Sequence, residues 1–583
     1  MKFRQSIVVL ICAGFIWSGC ASAPPHPGAS SADSAATTNT VADGETADES
    51  PESTALSAGK GNAPSLAHFA AGQSYEANGK HEQAREEFYL SVMADPANEA
   101  EALELCKQYL QQQHPEKAVA LLTKVCQRPD ASAVILAWLA RADLLAGKTS
   151  DAVAASNRAM QRWPEALDGY QSALEAMAPA GKTADMLKTL DRAAKHVRSQ
   201  PSALISLAEL YSACLKRPDP AATPARLRAL GLLDRVAGMK ITSGAVWERL
   251  ADAYAALGEA KKASAIYTKL LEDPAAPPVA RNQLQVKIGL NYMDQKDWTN
   301  ALKQFRAVVK DDPIRFPIAW YYLGILAEAD IKADNAATKM AEAADDFEHA
   351  LRWGQAPEMA YYRLALLRAD MDLADEAQRV LDQAREKFGA GFENEFYNAM
   401  VRTRLRDYDE AVKHFGAAEE IARSNSPARL DRDFYFQTGS ACERAKQYQR
   451  AADYLKKCID LKPDDAESLN YLGFMWADRG ENLAKARAYI EKAVSLDPKN
   501  AAYLDSLGWV FYKLKQPREA LPWMLKAVEF SEEPDATILD HLGDVYLALG
   551  QPEKALENWR KSLAVEANDE VKKKLRAFDA GAT

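Results

Sequence analysis

Two stretches of this 583-residue chain end like a phosphate cradle, Gly147-Lys148-Thr149 and Gly181-Lys182-Thr183. In a nucleotide-binding loop, Gly-rich backbone turns N–H groups toward phosphate, the Lys neutralises charge and the hydroxyl holds a metal ion. That chemistry asks for a first Gly, where Ala142 and Ala176 stand, and for a strand leading in, which neither stretch has. Both are therefore expected in turns where a Gly ends a helix. The eight His are scattered, with no His-Glu-x-x-His and no Cys/His pair at metal-ligand spacing. A Ser/His/Asp set can be drawn from any chain this long, but nothing fixes such a set in one place. No catalytic, cofactor-binding or metal-ligating residue is expected, and no small-molecule substrate.

The elements that would position such residues are more regular than the residues themselves. Leu472-Gly473, Leu507-Gly508 and Leu542-Gly543 recur 35 residues apart, each followed by an aromatic, Trp476, Phe511 and Tyr546. An Ala comes next (Ala486, Ala520, Ala555), then a large apolar residue (Ile490, Met524, Trp559). The spacing predicts a helical hairpin whose small residues sit where the helices cross, since axes about 8–10 Å apart leave no room for bulk. The large residues are expected to fill the spaces on either side. A hairpin alone cannot bury its apolar face, so the repeat implies a stacked array. Crossing positions continue in register through Gly72, Cys106, Ala140, Leu174, Ala208, Ala251, Gly289, Gly324, Ala365, Ala399, Gly439, Gly473, Gly508 and Gly543. Leu174 and its partner Met186 are oversized, which makes that repeat irregular. Extra residues after Ala208, Ala263, Gly324 and Ala411 are expected to lie in turns, because a shifted crossing disturbs packing on both sides.

Trp247-x2-Leu250-Ala251-x2-Tyr254, followed by Ala263, Tyr267 and Pro274, resembles the tetratricopeptide repeat (TPR). The resemblance implies an all-α, superhelical solenoid of about 14 hairpins over residues 64–568. Residues 569–583 read as a capping helix with Val571, Leu575 and Phe578 on one face and Lys572, Lys573, Lys574 and Arg576 on the other.

Residues 1–20 read as a signal segment, with Lys2 and Arg4 ahead of an apolar run, Ile7 to Trp17, too short to span a bilayer as a helix. Trp17-Ser18-Gly19-Cys20 resembles the lipobox of bacterial lipoproteins, which implies cleavage before Cys20 and acylation of that residue. Ala21 resembles the pattern that sorts lipoproteins to the outer membrane, so the expected place is the outer membrane, facing the periplasm. Residues 21–63 are rich in Ala, Ser, Pro and acids, and read as a disordered acidic tether. The formal charge is −10, and loss of Lys2 and Arg4 would leave −12. An acidic array without a basic stripe argues against nucleic acid. Of the seven Cys, Cys12 leaves with the signal; Cys106 and Cys458 stand in register with crossing positions, as small hydrophobes.

In TPR proteins the residues three before and one after the crossing point into a concave groove. Here these are Tyr321 and Ile325, Tyr362 and Leu366, Phe396 and Met400, Phe436, Phe474 and Trp509. Family members that hold a terminal carboxylate use Lys, Arg and Asn there; Asn470 and Arg444 stand alone, so that mode is not expected. If Phe474 and Trp509 are anchors, cutting both to Ala should remove the partner while sparing the melting temperature. The expected function is a non-enzymatic scaffold or adaptor holding one or more envelope proteins. Gly473 to Arg560, with Asp505-Ser506-Leu507-Gly508-Trp509 and Asp540-His541-Leu542-Gly543-Asp544, resembles TPR lipoproteins that serve as adaptors of carboxyl-terminal processing proteases. The alternative is an assembly factor of a secretion, pilus or polysaccharide-export complex. Anchoring through one residue is directly testable: labelled fatty acid should enter the wild-type protein and not Cys20→Ser, and an unlabelled wild-type protein would contradict it.

Overall fold

The computed structural model describes residues 63–197, 199–214, 222–273, 277–332 and 334–581. Cys20, the signal segment, the tether up to residue 62, Pro274 and the Pro-containing stretch 215–221 lie outside them. All regular structure among the described residues is helical, as expected of an all-α TPR array, and it comes as fourteen hairpins. Two compact units divide them, one ending at Asp311 and one beginning at Asp312. The first holds seven hairpins, from Ala63–Ala77 with His81–Ala94 to Pro278–Asp294 with Trp298–Asp311. The second holds seven more, from Pro317–Ala329 with Ala336–Arg352 to Ala536–Ala548 with Pro552–Val565, and then the single helix Asp569–Gly581.

The crossings are closer than spacing alone suggests. A Cβ added to Gly473 would lie 2.6 Å from Ile490 Cγ1, one on Gly508 2.8 Å from Met524 Cγ, and one on Gly543 2.5 Å from Trp559 Cδ1. Gly289 and Gly324 stand in the same relation to Phe305 and Phe347, at 2.7 Å. The large residue of the second helix therefore sits on the glycine itself, not in the space beside it. In the irregular repeat the close approach moves to Gly169, where a Cβ would meet Ala159 Cβ at 2.7 Å, on the second helix of the preceding hairpin. Leu174 is accommodated, buried at 5 % exposure, because the tight contact is made elsewhere on its helix.

Twelve of the fourteen hairpins turn through a described residue of positive φ. Gly147 and Gly181, at +76° and +66°, occupy this place, so the phosphate-loop look-alikes are helix-ending turns. Beyond the turn a backbone N–H reaches back to close the helix end: Glu481 N donates to Trp476 O at 2.8 Å, Gln516 N to Phe511 O at 2.9 Å and Gln551 N to Tyr546 O at 3.0 Å. The aromatic after each Leu-Gly is thus where the first helix is closed. Lys446 and Lys515 hold the same turn at φ +59° and +63°, a conformation that favours glycine.

Part of the added length lies in helices rather than turns, which corrects the expectation at three of the four insertions; most of the fourth, after Ala208, lies outside the described residues. Pro278–Asp294 and Ala336–Arg352 each have 17 residues and Tyr408–Asn425 has 18, against 13 or 14 in regular repeats. About one extra turn, ~5 Å, lengthens a helix beyond its crossing without moving the crossing, and it keeps the added backbone hydrogen-bonded.

Polar ties stitch neighbouring hairpins in the unit ending at Asp311. Tyr211 Oη donates to Asp191 at 2.7 Å, and Arg228 pairs with the same carboxylate at 2.9 Å. One repeat on, Tyr254 Oη donates to Asp234 at 2.6 Å and Lys262 pairs with it at 2.6 Å. Each carboxylate joins three successive helices. All five described cysteines are free and buried. Burial pushes the Cys442 and Cys458 thiols up to about 11 and those of Cys106 and Cys126 up to about 12, which leaves them unreactive.

The helix Asp569–Gly581 follows Pro552–Val565 in the place of a first helix and packs against it. Ala577 stands 34 residues after Gly543, where a crossing would be, and is exposed. Lys573 and Arg576 take the places that the buried Leu539 and Leu542 hold one repeat earlier. This leaves a charged face where the preceding repeats dock a second helix. Val571 is fully buried beneath it. Lys574, expected on the solvent side, instead reaches Asp540 and Asp544, both at 2.7 Å.

Because Ala451 is fully buried at a crossing, Ala451→Leu should cost about 1–3 kcal/mol. In a stack the damage should stay near its own repeat, so faster hydrogen exchange should be confined to the helices around residues 432–479. Equal acceleration throughout residues 317–565 would contradict the nearest-neighbour account.

Candidate protein-binding groove

The first helices of the unit 312–583 stand side by side and present the expected positions on one face. Tyr321, Ile325, Leu366, Phe396, Met400, Phe436 and Phe474 are half-buried there. Their inner edges join the core: the Tyr321 ring lies 5.9 Å from Phe347, and Phe396 lies 5.7 Å from Phe392 and 5.9 Å from Phe415. Phe436 meets Tyr471 edge-on at 5.5 Å and carries the Arg432 guanidinium at 4.5 Å. These rings are held in place by core contacts while part of each stays open, which is how an aromatic anchor is presented at low ordering cost.

Two of the expected groove residues are core. Tyr362 is fully buried, stacked on Tyr397 at 4.6 Å, with its hydroxyl donating to Glu358 at 2.7 Å. Trp509 is 7 % exposed, and its indole lies 3.9 Å from the His541 ring, tilted by only 15°. Its Nε1 donates to Asp478 at 3.1 Å. In both cases the next first helix brings a flat ring into the same register, and the two faces cover each other.

His541 is the functional-looking residue that spacing did not single out. It is 7 % exposed, and its Nδ1 lies 3.0 Å from both carboxylate oxygens of Asp505, itself 4 % exposed. Burial works against the charged imidazole, but the Asp505 carboxylate, with Asp540 and Asp544 behind it, outweighs that and holds His541 above its ordinary 6.5. Asp505 stands three before its crossing and His541 two before the next, so the pair is readable once successive first helices are laid side by side.

Charges on this face are paired off across the repeats. Arg363 Nη1 donates to Glu328 at 2.5 Å, Arg404 Nε to Asp370 at 3.0 Å and Lys513 to the Asp478 carbonyl at 2.6 Å. Burial raises the Glu328 carboxyl, and Arg363 opposes the rise. Arg444 donates to Tyr408 Oη at 3.2 Å, and Asn470 is buried at 6 % exposure, so neither forms a carboxylate clamp. The unit ending at Asp311 follows the same logic with fewer rings: Arg141 is bidentate to Glu175 at 2.6 and 3.1 Å, and Lys287 reaches Glu248 and Asp252 at 2.7 and 2.8 Å. A cleft of about 100 Å³ between Trp138, Arg141, Asp168 and Glu175 is too small for a drug-sized ligand. No group of three or more His, Cys, Asp or Glu among the described residues could hold a metal ion.

Models of the tetratricopeptide repeat match residues 286–350, 398–466 and 477–535, and, in a second version, 66–98 and 245–272. No curated protein matches the sequence. Among solved structures, the yeast Tom70 is similar at 14 % identity over 89 % of this chain and 95 % of that one, with a TM-score of 0.35. The Cut9 and Hcn1 hetero-tetramer of the APC/C is similar at 13 % identity over 77 % and 96 %, with a TM-score of 0.33. MamA from Desulfovibrio magneticus RS-1 is similar at 20 % identity over 30 % and 94 %, with a TM-score of 0.26.

Since Trp509 is enclosed by His541 and Asp478, Trp509→Ala should lower stability by about 3 kcal/mol or more. That reverses the expectation that the ring could be removed at no thermal cost. An unchanged melting transition would return Trp509 to the groove surface.

Proposed function

We propose that this chain is a non-enzymatic scaffold whose face of first helices in the unit 312–583 holds a segment of a partner protein. The observation that carries the reading is the row of half-buried apolar side chains Tyr321, Ile325, Leu366, Phe396, Met400 and Phe436, set among charges already satisfied within the protein. Such a surface offers contact area and ring faces, so it suits an apolar or aromatic segment better than a charged terminus. The tetratricopeptide matches at 286–350 and 398–466 cover part of it, and arrays of this kind suit protein–protein contact.

The finer reading keeps the anchor and the compartment. Cys20 would carry lipid, placing the protein at the outer membrane and facing the periplasm, with its partner among the envelope proteins. No described helix is long and apolar enough to cross a membrane, and a lipid on Cys20 would make one unnecessary. The specific role the C-terminal repeats resemble is that of an adaptor for a processing protease.

The test is site-specific photocrosslinking in native cells, with the photoreactive residue at Leu366 or Met400 on the groove or at the exposed Glu386 on a second helix. Groove positions should capture a defined protein that Glu386 does not, and Leu366→Glu with Met400→Glu should lose it by roughly thirtyfold or more in affinity. Capture of the same protein from Glu386 alone would overturn the groove assignment. The identity of the captured protein separates a protease adaptor from an assembly factor.

A further inference from the structure

Asp505, His541 and Trp509 form a closed stack that the binding proposal does not use. The imidazole lies flat on the indole at 3.9 Å, and the Phe474 ring lies 6.1 Å from the imidazole, tilted by 37°. Its Nδ1 faces the Asp505 carboxylate at 3.0 Å. The three residues bind two successive first helices, Ala501–Lys513 and Ala536–Ala548, and the indole N–H extends the tie to a third, Ala466–Arg479, through Asp478.

We propose that the Asp505–His541–Trp509 stack is a protonation-sensitive clasp that locks the first helices Ala501–Lys513 and Ala536–Ala548 together when His541 carries its proton and loosens them when the proton leaves. The physical basis is twofold. A buried imidazolium gains a charge-assisted bond to Asp505 and a cation–π contact with the indole face, both stronger where water is excluded. A neutral imidazole keeps the packing but gives up both electrostatic gains and leaves a buried carboxylate without a counter-charge.

The surrounding charges favour the proton. On its own helix Asp540 and Asp544 add negative potential, moderated by Lys574 from Asp569–Gly581, which pairs with both. On the helices beyond, Asp478 is engaged by Trp509 and Lys513. The second helices Pro517–Phe530 and Pro552–Val565 bury Ala520, Met524, Ala527, Ala555, Asn558, Trp559 and Ser562, none of them titratable in this range.

The sign follows from linkage. His541 is held above its ordinary 6.5 in the folded chain, so the clasp's contribution is complete below about 6.5 and is lost as pH rises through the folded value. Across that window the equilibrium for local opening should rise by about tenfold per pH unit, the limit for one proton. The clasp itself is independent of any partner; only its effect on the grip of a bound segment rests on the groove reading.

The experiment is native-state hydrogen exchange of the whole, partner-free chain between pH 5 and 9, with opening constants corrected for intrinsic exchange. Helices Ala501–Lys513 and Ala536–Ala548 should open more as pH rises above 6.5, while Arg432–Arg444 should not share the trend. His541→Phe keeps a flat ring and Asp505→Asn keeps the shape, and each should flatten the pH profile. The proposal is overturned if the wild-type profile is flat, or if either variant retains the wild-type slope. Should His541→Phe unfold the end of the array, Asp505→Asn decides alone. Loss of photocrosslinking at Leu366 with an intact pH profile would count against the groove and leave the clasp standing.

Discussion

Everything in this molecule depends on how closely two helices can cross. At Gly473, Gly508 and Gly543 the partner's Ile490, Met524 or Trp559 occupies the volume that a Cβ would need. A methylene there means overlap, and dense packing leaves the neighbours no room to yield. Once the crossing is fixed, the hairpin's remaining apolar surface can be covered only by another hairpin. Repetition is therefore the consequence of one steric condition met many times, and the chain has no need of strands or bridging sulfur to meet it.

The same condition decides where variation is allowed. Helices grow by about a turn beyond the crossing, as in Ala336–Arg352 and Tyr408–Asn425, while the crossing stays put. Turn residues change freely between Gly147 and Lys446 or Lys515, because the bond back to the first helix survives the substitution. On Asp569–Gly581 the pattern changes in charge: Lys573 and Arg576 are exposed where the preceding repeat buries Leu539 and Leu542. The face of first helices inherits regular spacing from the stack, and that regularity is what lets paired charges and half-buried rings alternate along it.

Much of this was legible in the sequence, and for a definite reason. A small residue at a fixed interval reports a steric exclusion, which is local and tolerates few alternatives, so the crossing glycines from Gly72 to Gly543 could be read one by one, whereas at Leu174 the close approach had moved to Gly169. The fate of Tyr362 and Trp509 could not, because burial there is set by the ring that the next helix brings: Tyr397 in one case and His541 in the other. Lys574 was misplaced for the same reason, its partners Asp540 and Asp544 lying on the preceding repeat. The pairing of Asp505 with His541 likewise needs two registers compared at once. Insertions misled in a different way, since a residue count does not distinguish a longer loop from a longer helix. Periodicity thus shows which positions share a face, whereas exposure on that face is decided between repeats.

The central claim is that close crossing couples the small residue to the large one above it. A double-mutant cycle on Gly508 and Met524 tests it most directly, by equilibrium unfolding of the wild type, Gly508→Ala, Met524→Ala and the double variant. The account predicts that Gly508→Ala is costly beneath Met524 and nearly harmless once Met524 is cut back, giving a coupling of about 1–3 kcal/mol. Additive costs would mean that the glycine is not there to admit the methionine, and the steric origin of the repeat would have to be abandoned.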